Sequence, residues 1–403
     1  MVQKNIENRP IYPIMIAIAI GHLINDTVQN VIPAMFPLLS RDLGLTFTQL
    51  GFIAFVLNMV SSTLQPVVGY ISDKKPMPYA LPLGMISVFI GLSMVSFTGT
   101  YSIILIAAIF LGFGSAIFHP EGSRVSFLSA GNKRGLSQSI YQVGGNSGQA
   151  IAPLISAFIL DALGQRGAAI ILLLTAIGII LLFNISRWYA RQLKAEKLSK
   201  KAKKILISSL PPLTKKQVGM AIFLLFMIIF ARSFYTTNIQ NYYVFYLMDH
   251  YELSLRLGQI LIFVFMGFGV IGTFFGGSLS DRIGRKNVIL LSVVVPIPFC
   301  LLLPYMPIWA VPIFLIIIGM LIMISFSVTV VYAQELVPSK IGTMAGLTVG
   351  FAFGMGAVSS VATGWLLDKI GIGTTIQIIS FLPLLLLVAF FLPKDQAEQG
   401  ATR

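Results

Sequence analysis

The chain is 403 residues long, 56% hydrophobic and only 10% charged, with a mean hydropathy of +0.87. Such usage lies far outside that of a soluble globular domain. Lys and Arg outnumber Asp and Glu by 28 to 14, and the single cysteine, Cys300, excludes an internal disulfide or a cysteine metal cluster.

Apolar runs long enough to cross roughly 30 Å of hydrocarbon follow one another with short polar breaks. They predict twelve helical spans near 12–39, 46–71, 79–98, 102–123, 135–161, 167–187, 217–248, 256–280, 287–304, 309–333, 341–367 and 373–392. With the N-terminus inside, the outer loops hold only Arg41, Arg166, Arg256 and Lys369, and Arg232 lies within a span; the other basic residues fall on the inner side. The positive-inside rule therefore puts both termini in the cytoplasm, and the net charge of +14 reflects topology rather than nucleic-acid recognition. The first run is too long for a cleaved signal and lacks a small-residue cleavage site. The expectation is an all-α, multi-pass protein of the cell inner membrane. Six spans occupy residues 1–190, a basic linker 191–216, and six more spans 217–403.

In the first span His22, Asp26 and Asn30 stand four apart, with Asn25 and Gln29 beside them, so one face of an otherwise apolar helix is polar. An ionisable group in a membrane segment defaults to a functional reading, although a satisfied cluster between helices is the plainer alternative. The fourth span closes on Phe118-His119-Pro120-Glu121-Gly122-Ser123-Arg124. Here an imidazole, a carboxylate and a guanidinium share a lipid-length segment, and a static Glu121–Arg124 pair is the plainer alternative. Asp26 and Glu121 are the candidate proton carriers, with His22 and His119 as shuttles because imidazole titrates near neutral pH. No pair among these residues has a recognised metal-ligand spacing, and no phosphate loop or nucleophile with its base is present, so neither a metal, a cofactor nor an enzymatic activity is expected. In the fifth span Gln138, Gln142, Asn146, Gln149 and Pro153 form a stripe at steps of three or four. Asn25, Arg124, Gln142 and Asn146 are the substrate-contact candidates of the first half.

The linker is rich in lysine and reads as a connector, or as a short amphipathic helix on anionic headgroups. In the seventh span Arg232 is followed by Tyr235, Asn238 and Tyr242. A guanidinium beside an aromatic and amide surface suits an anionic substrate; an arginine paired with an acidic side chain is the alternative. Glycines crowd the eighth and eleventh spans, as close helix approach requires. The tenth ends with Gln334 and Glu335, the latter a gate or a charge at a helix end.

The stretch Gly277-Ser278-Leu279-Ser280-Asp281-Arg282-Ile283-Gly284-Arg285-Lys286 has a degenerate partner at Gly69-Tyr70-Ile71-Ser72-Asp73-Lys74-Lys75, and Asp161 and Gly164 correspond to Asp368 and Gly371. The chain is therefore two six-span halves in parallel repeat. With its twelve spans and basic central loop, it resembles the major facilitator superfamily. Within that superfamily, Gly21 to Asp26, Gln65 to Tyr70, Phe118 to Arg124, Gln142 to Asn146 and Tyr332 to Leu336 are similar to fosmidomycin resistance proteins. The resemblance covers almost the whole chain. It implies a monomeric, proton-driven exporter of small drugs that works by alternating access; fosmidomycin is a phosphonate with a hydroxamate. It also implies that Asp73 and Lys74, and Asp281, Arg282 and Arg285, belong to cytoplasmic latches. Pro76-Met77-Pro78 departs from the latch pattern, and Ala108 stands where drug exporters of the superfamily often have an arginine. An importer of a small organic anion on the same fold, or a non-transporting sensor or scaffold, are the competing readings.

Overall fold

The computed structural model describes residues 10–131, 134–198, 214–337 and 341–393. The linker lysines between 199 and 213, Lys340 and the polar tail from Asp395 lie outside the described residues. Among the described residues, twelve helices are long and apolar enough to cross a membrane: α1 (Tyr12–Ala34), α2 (Phe47–Ser72), α3 (Ala80–Phe97), α4 (Tyr101–Ser126), α5 (Ile140–Leu163), α6 (Gln165–Leu193), α7 (Lys215–His250), α8 (Leu255–Gly277), α9 (Arg285–Tyr305), α10 (Val311–Ala333), α11 (Leu347–Ile370) and α12 (Ile372–Phe391). These are the twelve expected spans. Helices satisfy their own backbone donors and acceptors, which hydrocarbon requires, and large apolar side chains such as Leu173, Ile180, Phe274 and Phe275 point outward rather than into a core.

Prolines set the local departures. The expected 12–39 run is two helices, because Pro33 is followed by a turn at Met35 and a short helix over Phe36–Leu43. The fourth span runs unbroken through Pro120 in a helix over Tyr101–Ser129. Pro153 precedes a π turn over Ser156–Leu160, where the Ser156 hydroxyl donates 2.7 Å to the Ala34 carbonyl of α1. The first residues of the linker continue the sixth span in a helix over Ala169–Leu198.

The chain forms two compact units, Met1–Leu45 with Val56–Ala202, and Thr46–Phe55 with Lys203–Arg403. In the first, α1 lies directly on α5. A side chain added at Gly144 or Gly148 would strike the backbone carbonyls of Ala19 and Leu23, and one at Gly145 would strike the His22 ring. The small residues of α5 therefore bring the polar face of α1 against the polar stripe of α5. In the second unit α8 meets α10 in the same way, with Gly272 and Gly276 against the carbonyls of Met320 and Ile324. The same unit holds the start of α2, whose backbone amides at Phe47 and Thr48 donate 3.1 and 2.8 Å to the Asp368 carboxylate, a carboxylate at a helix N-terminus.

Candidate functional site

Four residues of the first unit meet around one carboxylate. Asp26 and His22 come from α1, one turn apart, His119 from α4 and Gln149 from α5. The His22 Nε2 stands 3.5 Å and the His119 Nε2 3.8 Å from Asp26 Oδ1. The Asn25 amide donates 3.0 Å to the same oxygen, and the Gln149 amide donates 3.0 Å to Oδ2. His22 and Asp26 are only 2% and 3% exposed, so water does not screen the group.

The orientation of His22 decides what this cluster can do. Its Nδ1 lies 2.8 Å from the Tyr141 carbonyl, and the Tyr141 ring stacks on it at 4.1 Å between centroids. A carbonyl only accepts, so Nδ1 carries a hydrogen. Nε2 makes no hydrogen bond, is buried, and faces a carboxylate that also only accepts. In the neutral ring two lone pairs confront each other; a proton on Nε2 turns the contact into an imidazolium–carboxylate pair. Two imidazole nitrogens and a carboxylate oxygen lie within 4.8 Å of one another here, a grouping that no sequence spacing announces. Both carboxylate oxygens already accept amide hydrogens.

Glu121 lies elsewhere, at 0% exposure. Its Oε1 accepts a hydrogen bond from the Ser72 hydroxyl of α2, and its Oε2 accepts 3.1 Å from the Tyr189 hydroxyl of α6. Arg124 donates 2.5 Å to the Ser72 carbonyl and 3.0 Å to its hydroxyl. Ser72 thus bridges the two charged residues of the Phe118–Arg124 stretch, and the network ties α2, α4 and α6 together. Gln142 and Asn146 are half-buried on α5 and hydrogen-bonded to each other at 3.1 Å.

In the second unit Arg232 is 5% exposed. Its guanidinium donates only long contacts, 3.3 Å to the Ser325 hydroxyl and 3.4 Å to that of Thr329 on α10, and lies 5.1 Å from the centre of the Phe326 ring. Among the described residues no carboxylate pairs with it. The residues expected beside it do not share its surroundings. Asn238 donates 3.0 Å to the Ser359 hydroxyl and Tyr242 donates 2.7 Å to the Ser360 carbonyl, both on α11, while Tyr235 is 1% exposed. All three are buried; Asn238 and Tyr242 reach α11, whereas Arg232 reaches α10.

Of the latch residues, Glu335 pairs with Arg285 at 3.2 Å, joining the ends of α10 and α9, and Arg282 is exposed. The side chains of Asp73, Lys74 and Asp281 lie outside the described residues. Sequence patterns do not single out Tyr141, Tyr189, Ser325 or Thr329, which hold these groups, and Ser72 stands out only as part of the repeated stretch. As common hydroxyl-bearing residues in apolar runs they carry no signal until the helices are packed.

Twelve membrane spans with buried charges in both units define a multi-pass transport protein rather than an enzyme. The Major Facilitator Superfamily model matches residues 18–358, and the chain belongs to that family. It is 53% identical to the uncharacterized MFS-type transporter YfnC of Bacillus subtilis (strain 168) over 392 residues, covering 96% of this chain and 94% of that one. It is 41% identical to the fosmidomycin resistance protein of Escherichia coli (strain K12) over 388 residues, with the same coverage of 96% and 94%. The nucleoside transporter NupG shares its fold, with a TM-score of 0.72 at 15% identity, covering 94% of this chain and 98% of that one.

Proposed function

We propose that this transporter is a proton-coupled antiporter of the cell inner membrane that exports fosmidomycin and related small anionic drugs by alternating access. The observation that carries the reading is the unpartnered His22 Nε2 facing Asp26 Oδ1. Binding or losing one proton there changes the contact from lone-pair opposition to an ion pair, and it does so on the helix that packs most closely on α5. In this mechanism a proton from outside enters the His22–Asp26–His119 group, and its departure to the cytoplasm accompanies the opposite movement of substrate. Glu121 acts through Ser72 and Tyr189, positioning α2, α4 and α6 while the His22–Asp26–His119 group carries the proton.

Arg232 is the proposed anion contact. Burying a guanidinium without a counter-charge costs several kcal/mol, and a phosphonate supplies two or more oxygens in the geometry that a guanidinium fork matches. The name of the Escherichia coli relative supports this substrate class. Inward transport of a small organic anion is the second reading, favoured by the same unpaired Arg232, since the guanidinium serves an anion moving either way.

Inverted proteoliposomes with an imposed pH gradient, acid inside, decide between them. Export activity appears as uphill fosmidomycin uptake that collapses with an uncoupler and is lost in Asp26→Asn at equal protein content. Proton-driven depletion of the lumen would establish the import reading instead, and full pH-driven flux in Asp26→Asn would remove the cluster from the mechanism.

A further inference from the structure

The outer face of α6 bears a feature that proton and drug movement do not use. Leu173, Ile177 and Ile180 are 70%, 59% and 64% exposed and follow one another at steps of three and four, so they form one apolar stripe along the helix. Continued by the same steps, that stripe reaches Arg187 and Arg191. Both are exposed, and among the described residues neither meets a carboxylate. The two arginines line an open cavity of about 320 Å³ together with Trp188 and with Ile14 and Ala17 of α1. They also line a second cavity, of about 280 Å³, beside Tyr79.

We propose that this face is a binding site for an anionic phospholipid, with the headgroup phosphate held by Arg187 and Arg191 and an acyl chain laid along Leu173, Ile177 and Ile180. Each part of the stripe matches a part of that molecule. Guanidiniums bind phosphate in a fork, and tryptophan favours the headgroup level of a bilayer. Basic residues at the inner end of a span attract anionic lipid. A free phosphate ion would use the arginines and leave the apolar stripe without a role. The cavity reaches α1, so the lipid also touches the helix that carries His22 and Asp26.

The chain has three tryptophans, and Trp309→Phe with Trp365→Phe leaves Trp188 as the sole reporter at the site. The full chain, reconstituted in phosphatidylcholine, is titrated with brominated phosphatidylglycerol and, separately, with brominated phosphatidylcholine, each of which quenches tryptophan on contact. The expected result is a preference for the anionic lipid of about five-fold per arginine, reduced to near parity in Arg187→Gln/Arg191→Gln. Unchanged quenching by brominated phosphatidylcholine in that variant shows that Trp188 still sits in the bilayer. Equal quenching by the two lipids before the arginines are changed, or a preference that survives their removal, overturns the proposal. Loss of the preference on adding inorganic phosphate at constant ionic strength assigns the arginines to a free anion and also overturns it.

Discussion

His22 gives its Nδ1 hydrogen to the Tyr141 carbonyl and is left with a buried Nε2 that makes no hydrogen bond and faces the Asp26 carboxylate. Such a group changes its interactions sharply with one proton, whereas Glu121, held by two hydroxyl donors, is already satisfied. His22 and Glu121 therefore predict different effects of substitution. His22→Gln keeps a polar side chain but cannot become a cation, so pH-driven transport falls at least about ten-fold, the scale of one lost charge-assisted hydrogen bond. Initial rates against pH measure this. At Arg232 the prediction concerns affinity: Arg232→Gln raises the apparent KM for an anionic substrate about ten-fold or more, and Arg232→Lys restores part of it because it keeps the charge but not the fork. An unchanged KM in both variants would remove Arg232 from the binding site.

At the scale of helices, α1 and α5 approach so closely that no side chain larger than hydrogen fits at Gly144 or Gly148. Gly148→Leu is expected to lower thermal stability in detergent by about 1–3 kcal/mol, the ordinary cost of overpacking, and to shift His22 away from Tyr141. A melting temperature equal to the parent would contradict the packing. The Ser72 bridge predicts a separable effect: Ser72→Ala leaves a buried Glu121 oxygen without its donor, so stability falls by about 1–3 kcal/mol while the pH dependence of transport keeps its shape. The limits of sequence patterns also show at this scale. The steps of four between His22, Asp26 and Asn30 announce a polar face, and the small residues of α5 announce close approach. Nothing in the order of residues announces that His119 reaches Asp26 while its near neighbour Glu121 reaches Ser72 and Tyr189, because that depends on how the helices are rotated against one another. For the same reason Tyr235, Asn238 and Tyr242 read as one surface with Arg232, whereas Asn238 and Tyr242 reach α11 and Arg232 reaches α10.

For the whole molecule, the twelve spans are legible because hydrocarbon thickness imposes one length on every crossing helix, and the repeated Gly-x-x-Ser-Asp stretches mark the ends of α2 and α8 by residue order alone. Function is less legible at this scale, since the superfamily fold serves many substrates and either direction. What joins the fold to the proposed activity is the claim that substrate binding and the protonation of the His22–Asp26–His119 group are linked, and linkage is reciprocal. The most direct measurement is proton release when fosmidomycin is added to the purified transporter in weakly buffered detergent solution with a pH dye. The account predicts release that saturates with fosmidomycin and is absent in Asp26→Asn. Saturable fosmidomycin binding without proton release, or undiminished release in Asp26→Asn, would contradict it.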